Sequence, residues 1–207
     1  MTCVYTVGIT GASGTIYAQD LIKELLSLNH DVNLVVSRAG IIVAAEELGW
    51  QIPDTESAAT EYFTALFSNL IETDGPVGSI TYYSDDHISA PPASGSYLAD
   101  AMIVLPCSMG AVASIASGMS DGLLERAADV ILKEHRRLVI VPRETPMNAI
   151  HLRNLLRLAE IGAYIVPACP SFYQKPQSIN DLVSYFTLRV LDQLGIHGES
   201  EQRWTDK

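Results

Sequence analysis

Gly8, Gly11 and Gly14 punctuate the stretch Val7-Gly8-Ile9-Thr10-Gly11-Ala12-Ser13-Gly14, which separates two patterned runs. Residues 4–9 are apolar and β-branched, the mark of a buried strand, and residues 16–28 are amphipathic with helical spacing. A tight Gly/Ser turn between strand and helix aims free backbone N–H groups and the positive helix end at one point, where an anion such as a phosphate is satisfied. The spacing is not the G-x-G-x-x-G of dinucleotide folds, and the lysine of a P-loop is missing. Glycines serving backbone geometry alone are the plain alternative.

Other side chains of chemical interest sit at the ends of patterned runs. Ser37 follows the apolar run 32–36 as a natural N-cap and as a second hydroxyl beside the first turn. Glu46 and Glu47 close a helix over 39–48, where a carboxylate opposes the dipole, so at least one of them needs another partner or a solvated surface. Ala90-Pro91-Pro92-Ala93-Ser94-Gly95-Ser96 excludes regular structure and reads as a linker or as a loop clasping a ligand with hydroxyls and open N–H groups. Lys133, His135, Arg136 and Arg137 end a helix over 122–136 capped by Asp121, where the dipole favours cations. Arg143-Glu144 follows an apolar run at 138–141, and as a surface ion pair it would stabilise little.

The elements that must position these groups alternate. Strands are predicted over 4–9, 32–36, 80–83, 101–105, 138–141 and 163–166. Helices are predicted over 16–28, 39–48, 57–71, a small-residue stretch from 111 to 118, 122–136, 148–161 and 179–194. That order implies an α/β fold: a doubly wound, mainly parallel sheet with helices on both faces, a Rossmann-like or flavodoxin-like three-layer sandwich. Ligands of such sheets bind beyond the carboxyl ends of the strands. Those ends are the Gly11–Gly14 turn, Ser37, residues 106–108, Arg143-Glu144 and the loop 167–173. The length of 207 residues suits one domain over 1–196 with a polar tail, 197–207, in which Trp204 offers an anchor.

A net charge of −11 disfavours nucleic acid and anionic membranes as partners. Only Lys23 and Arg38 are basic in residues 1–120, so strong cations for a phosphate must come mostly from the second half. No apolar run reaches the roughly 18 residues that span a bilayer, and Met1-Thr2-Cys3-Val4-Tyr5 enters a strand without a leader. Cys3, Cys107 and Cys169 are far apart and odd in number, which argues against a disulfide framework and fits a reducing cytoplasm. The five histidines show no metal-ligand spacing.

Several motifs together resemble the UbiX-like flavin prenyltransferases. They are Thr10-Gly11-Ala12-Ser13-Gly14, residues 90–96, Pro106-Cys107-Ser108, Glu125-Arg126-Ala127-Ala128-Asp129-Val130 through Lys133-Glu134, Val141-Pro142-Arg143-Glu144, Ile150-His151-Leu152, and Phe172-Tyr173 with Pro176-Gln177. The resemblance implies transfer of a dimethylallyl group from dimethylallyl (mono)phosphate to N5 and C6 of reduced FMN, without a metal. The prenylated FMN so made serves a UbiD-like decarboxylase, and the family assembles as dodecamers. Carried onto matching positions, the resemblance makes Ser13, Glu47 and Glu144 catalytic. It assigns FMN to Gly11, Ala12, Ser13, Ser37, Ser108, Met109, Arg126 and Arg143, and the prenyl phosphate to Ser94, Gly95, Ser96, Lys133, Arg143, Tyr173 and Arg189. One departure is His87-Ile88-Ser89, where many relatives place an aromatic residue. Pro146-Met147-Asn148 is faintly similar to flavin-dependent cysteine decarboxylases, so such a decarboxylase is the alternative reading, with a non-catalytic FMN carrier as a third.

Overall fold

The apolar runs pair into one parallel sheet of β1 (Val4–Ile9), β2 (Asp31–Val36), β3 (Ile80–Ser84), β4 (Ala101–Cys107), β5 (Arg137–Pro142) and β6 (Tyr164–Ile165). The computed structural model describes residues 2–197, so Trp204 and most of the predicted tail lie outside the described residues. Strand order is β3-β2-β1-β4-β5-β6, so the winding reverses between β1 and β4. A crevice opens at such a reversal, beyond the C-terminal strand ends.

Seven helices cover the two faces among the described residues: α1 (Thr15–Ser27), α2 (Arg38–Leu48), α3 (Glu56–Ser68), α4 (Met109–Ala116), α5 (Leu123–Lys133), α6 (Ala149–Glu160) and α7 (Ile179–Leu194). Alternate strand residues divide between two cores, as the twofold side-chain period requires. Val7, Ile9, Leu34 and Val36 pack with Leu21, Leu25, Phe63 and Phe186 from α1, α3 and α7. Val35, Met102, Val104 and Ile140 pack with Leu124, Ile131, Leu155 and Leu158 from α5 and α6. Both faces are covered, and β4 is buried along its whole length. The three-layer α/β sandwich implied by the alternation is the fold observed.

Three details differ from the sequence expectations. Pro91–Ala93 form one turn of 3-10 helix inside the loop 90–96, which is expected to be irregular. Asp121 does not cap α5; the N-cap is Gly122, without a side-chain bond. Asp85, just past β3, does that work: its carboxylate accepts the Leu124 N–H at 2.9 Å and its carbonyl accepts the Leu123 N–H at 2.7 Å. This fixes the start of α5 at the C-terminal edge of the sheet, while its far end feeds β5 at the N-terminal edge. The helix also stops at Lys133 rather than 136, because His135 takes φ 54° and Arg137 already belongs to β5.

The central strand ends are tied by a residue that the sequence reading passed over. Thr10 is buried, and its hydroxyl donates to the Pro106 carbonyl at 2.8 Å while accepting the Ser108 N–H at 2.7 Å. Thr10→Val keeps the shape but leaves the part-buried Ser108 N–H without its partner and the Pro106 carbonyl with only the Thr10 N–H, so it is expected to cost about 1 to 2 kcal/mol. Denaturant unfolding of the variant beside the parent measures it.

Candidate active site at the C-terminal strand edge

Two helix starts hang on the end of β1. Ser37 N–H donates to the Ile9 carbonyl at 2.9 Å, and Ser108 N–H donates to Thr10 Oγ1. Each serine then caps its helix: Ser37 Oγ accepts Gly40 N–H at 3.1 Å on α2, and Ser108 Oγ accepts Ala111 N–H at 3.3 Å on α4. The first two N–H groups of each helix lie outside these cap bonds and suit an anion. Close approach makes this possible. A Cβ on Gly11 would overlap that of Ala39, and one on Gly40 would overlap the Ile9 carbonyl oxygen.

The start of α1 is different, because its anion is the protein's own. Glu47 accepts the Gly14 N–H at 2.9 Å and the Thr15 N–H at 2.8 Å. The turn at Gly14 takes φ 114°, which a side chain rarely adopts. Burial alone would raise the Glu47 pKa, but bonds from the Ser13 hydroxyl and these two N–H groups outweigh it, and the pKa is lowered. The sequence reading put a ligand phosphate at this helix start; the carboxylate already satisfies it. The same contact gives Glu47 its reason for closing α2. That helix lies across the start of α1, with Ala39 against Gly11 at one end and Glu47 on Gly14 at the other.

Ser13 accepts Arg143 Nε through its carbonyl at 2.9 Å from the end of β5, and its hydroxyl, close to Glu47, helps to hold that carboxyl ionised. Glu144 follows Arg143 and accepts the Thr145 N–H at 3.0 Å. An acid, a hydroxyl, a guanidinium and a second acid therefore share the edge where Ser37, Ser108 and the buried Met109 begin α2 and α4. Gly11 and Ala12 belong to the same turn, and Arg126 lies exposed in the first turns of α5, on that edge.

The remaining candidates lie elsewhere in the same chain. Lys133 is exposed at the far end of α5, some ten residues and about 15 Å of helix from its start. Ser94, Gly95 and Ser96 sit beside it: the two serine hydroxyls are 2.9 Å apart, and Gly95 lies against the Glu134 carboxylate. Arg136 fastens this loop, donating to the Tyr97 carbonyl at 2.6 Å and the Gly95 carbonyl at 2.8 Å. Its sequence setting suggested only a dipole-favoured helix end. Arg189 is exposed on α7 and bonded to Asp192 at 2.8 Å, and Tyr173 is exposed in the loop after β6. One copy of the chain thus assembles Ser13, Glu47, Arg143 and Glu144 at one edge and holds Lys133 with residues 94–96 at the other. In the stretch His87-Ile88-Ser89, His87 bonds to Glu56 at 2.9 Å, and Ile88 is exposed.

A parallel sheet with two helix starts facing a crevice at its winding reversal defines an α/β protein with an anion-binding site beyond its strand ends. The Flavoprotein family model matches residues 4–191. "Flavin prenyltransferase UbiX" of Halalkalibacterium halodurans is 47% identical over 204 residues, covering 99% of this chain and 94% of that protein. Among solved structures, AnUbiX (PadA1) in complex with FMN and dimethylallyl pyrophosphate matches with TM-score 0.80 and 35% identity over the whole of both chains. A dodecameric FMN-dependent Ubix-like decarboxylase from Escherichia coli O157:H7 matches with TM-score 0.82 and 35% identity, covering 99% of this chain and 100% of that one. The chain belongs to the Flavoprotein family and, within it, to the UbiX flavin prenyltransferases. The open N–H groups at α2 and α4, beside the Ser37 and Ser108 hydroxyls, fit the phosphate and polyol of FMN. Among the described residues no group of three or more His, Cys, Asp or Glu is placed to hold a metal ion, and no helix is long and apolar enough to cross a membrane.

The Glu47 contact has a pH signature. Its folded carboxyl binds a proton less tightly than the unfolded one, so its stabilisation is complete above the ordinary glutamate range and is lost as pH falls below it. Glu47→Ala is expected to cost about 1 kcal/mol at pH 7, the size of a helix cap. In unfolding curves at pH 7 and pH 3, the gap to the parent should close at the acid end.

Proposed function

We propose that this protein joins the dimethylallyl group of dimethylallyl monophosphate to N5 and C6 of reduced FMN, and that the prenylated FMN serves a UbiD-like decarboxylase. The observation that carries the reading is Ser13 fixed through its carbonyl by Arg143 and lying beside the Glu47 carboxylate, with Glu144 next in the chain, beside two helix starts suited to FMN. Bound reduced FMN supplies the nucleophilic positions that accept the allyl group. The chain's residues have four tasks. Ser37, Ser108, Met109 and Arg126, with the Gly11-Ala12 turn, hold the phosphate and ribityl chain. Ser13, aimed by Glu47, offers a hydroxyl that relays a proton at the reacting edge of the ring. Glu144 protonates the departing phosphate or takes up the proton released on ring closure. Arg143, Lys133, Tyr173 and Arg189, with the hydroxyls of residues 94–96, stabilise the charge on that leaving group. The flavin ring itself, or Tyr173, would supply the π-face for the allyl cation in place of the aromatic that His87-Ile88-Ser89 lacks.

Lys133 and residues 94–96 reach Ser13 and Arg143 only if more than one copy takes part. In one chain, Lys133 and residues 94–96 sit a helix length away from Ser13. The proposed site is therefore completed between copies, in a homo-oligomer of the dodecameric kind named for the Escherichia coli relative. Leu152 and Leu156, one turn apart on α6, leave an apolar stripe in solvent, which a neighbouring copy would cover. The separated free cysteines fit work in the cytoplasm.

Anaerobic incubation with reduced FMN and dimethylallyl monophosphate, followed by mass measurement of the extracted flavin, is expected to show the gain of one isoprenoid unit. Unmodified flavin with both the mono- and the diphosphate donor refutes the transfer and leaves the decarboxylase or FMN-carrier reading. Glu144→Gln is expected to retain FMN while turnover falls at least about 100-fold. Co-expression tests the shared site. Lys133→Met and Glu144→Gln chains, each nearly inactive alone, should regain activity in mixed assemblies, since some sites then receive both native residues.

A further inference from the structure

Arg136 is not among the groups assigned to substrate, yet it makes two of the firmest polar contacts of the loop that is. Its Nη1 donates to the Tyr97 carbonyl at 2.6 Å and its Nη2 to the Gly95 carbonyl at 2.8 Å, both partly buried. A planar fork fixes the spacing and direction of two carbonyls at once, which a flexible ammonium does not. The neighbourhood explains why this matters. Gly95 lies against Glu134 so closely that a Cβ would overlap its carboxylate, and the Gly95 and Tyr97 carbonyls alternate in sequence with the Ser94 and Ser96 hydroxyls. Without a cation, that surface would repel a phosphate.

We infer that Arg136 is a positioning residue. It docks residues 94–97 on the end of α5, cancels the field of Glu134 and the two carbonyls, and so joins the paired hydroxyls to Lys133 as one preformed receptor for the prenyl phosphate. It acts through the loop and touches no substrate. The inference rests on the assignment of residues 94–96 and Lys133 to the prenyl phosphate.

The test uses the full-length protein loaded with reduced FMN and compares Arg136→Lys, Arg136→Gln and Lys133→Met. Four quantities are read: KM for dimethylallyl monophosphate, kcat, FMN affinity by fluorescence quenching, and the melting temperature. Both Arg136 variants should raise KM about tenfold or more, with kcat reduced less than KM rises and FMN affinity within about twofold. Arg136→Lys should recover only part of the loss, because one ammonium does not reproduce the fork. Unchanged KM in both Arg136 variants, with KM raised in Lys133→Met, overturns the positioning role and leaves the phosphate assignment standing. Unchanged KM in all three overturns the assignment and the inference with it. A KM change matched by equal losses in FMN affinity and melting temperature reduces Arg136 to a structural residue and also overturns the inference.

Discussion

A single buried hydroxyl sets the spacing at the working edge of this sheet. Thr10 gives its proton to the Pro106 carbonyl and takes one from the Ser108 N–H, so the ends of β1 and β4 cannot part or slide independently. Ser37 hangs on the neighbouring Ile9 carbonyl. The starts of α2 and α4 are therefore both referenced to two adjacent residues of β1. Small displacements of catalytic groups cost rate steeply, and rigid strand ends are a better mount for them than free loops.

Much of this was legible in the chain. The continuous apolar runs and the turn at Gly11–Gly14 define the strands, and the alternation of elements defines the layers. Glu47 was conspicuous as a carboxylate at the wrong end of a helix. Its partner was not legible, because Gly14 lies 33 residues away and meets it only through the lie of α2 across α1. Asp85 took the capping role expected of Asp121 for a similar reason: the contact is made by β3 ending beside the start of α5, which no local pattern encodes. Arg136 was hidden by a helix assumed to run too far. Once His135 turns into the left-handed region, Arg136 faces the loop instead of the helix end.

Motif order carried family membership but not geometry. Arg126 and Lys133 stand seven residues apart in one matching stretch, yet they occupy opposite halves of α5. Residues 94–96 follow β3 in sequence and would read as neighbours of its C-terminal end, but the chain crosses α5 to the far edge before β4 begins. A list of side chains matched by motif is a list for an assembly, and the fold of one copy decides which of them arrive together.

The carboxylate on the start of α1 also bears on what the crevice refuses. A bare helix start beside a glycine turn is a general receptor for oxyanions, and inorganic phosphate and sulfate are abundant competitors. With Glu47 seated there, a stray oxyanion meets like charge rather than a vacancy. Small anions gain no foothold at this turn next to Ser13. The carboxylate thus confines oxyanion binding at this edge to the starts of α2 and α4.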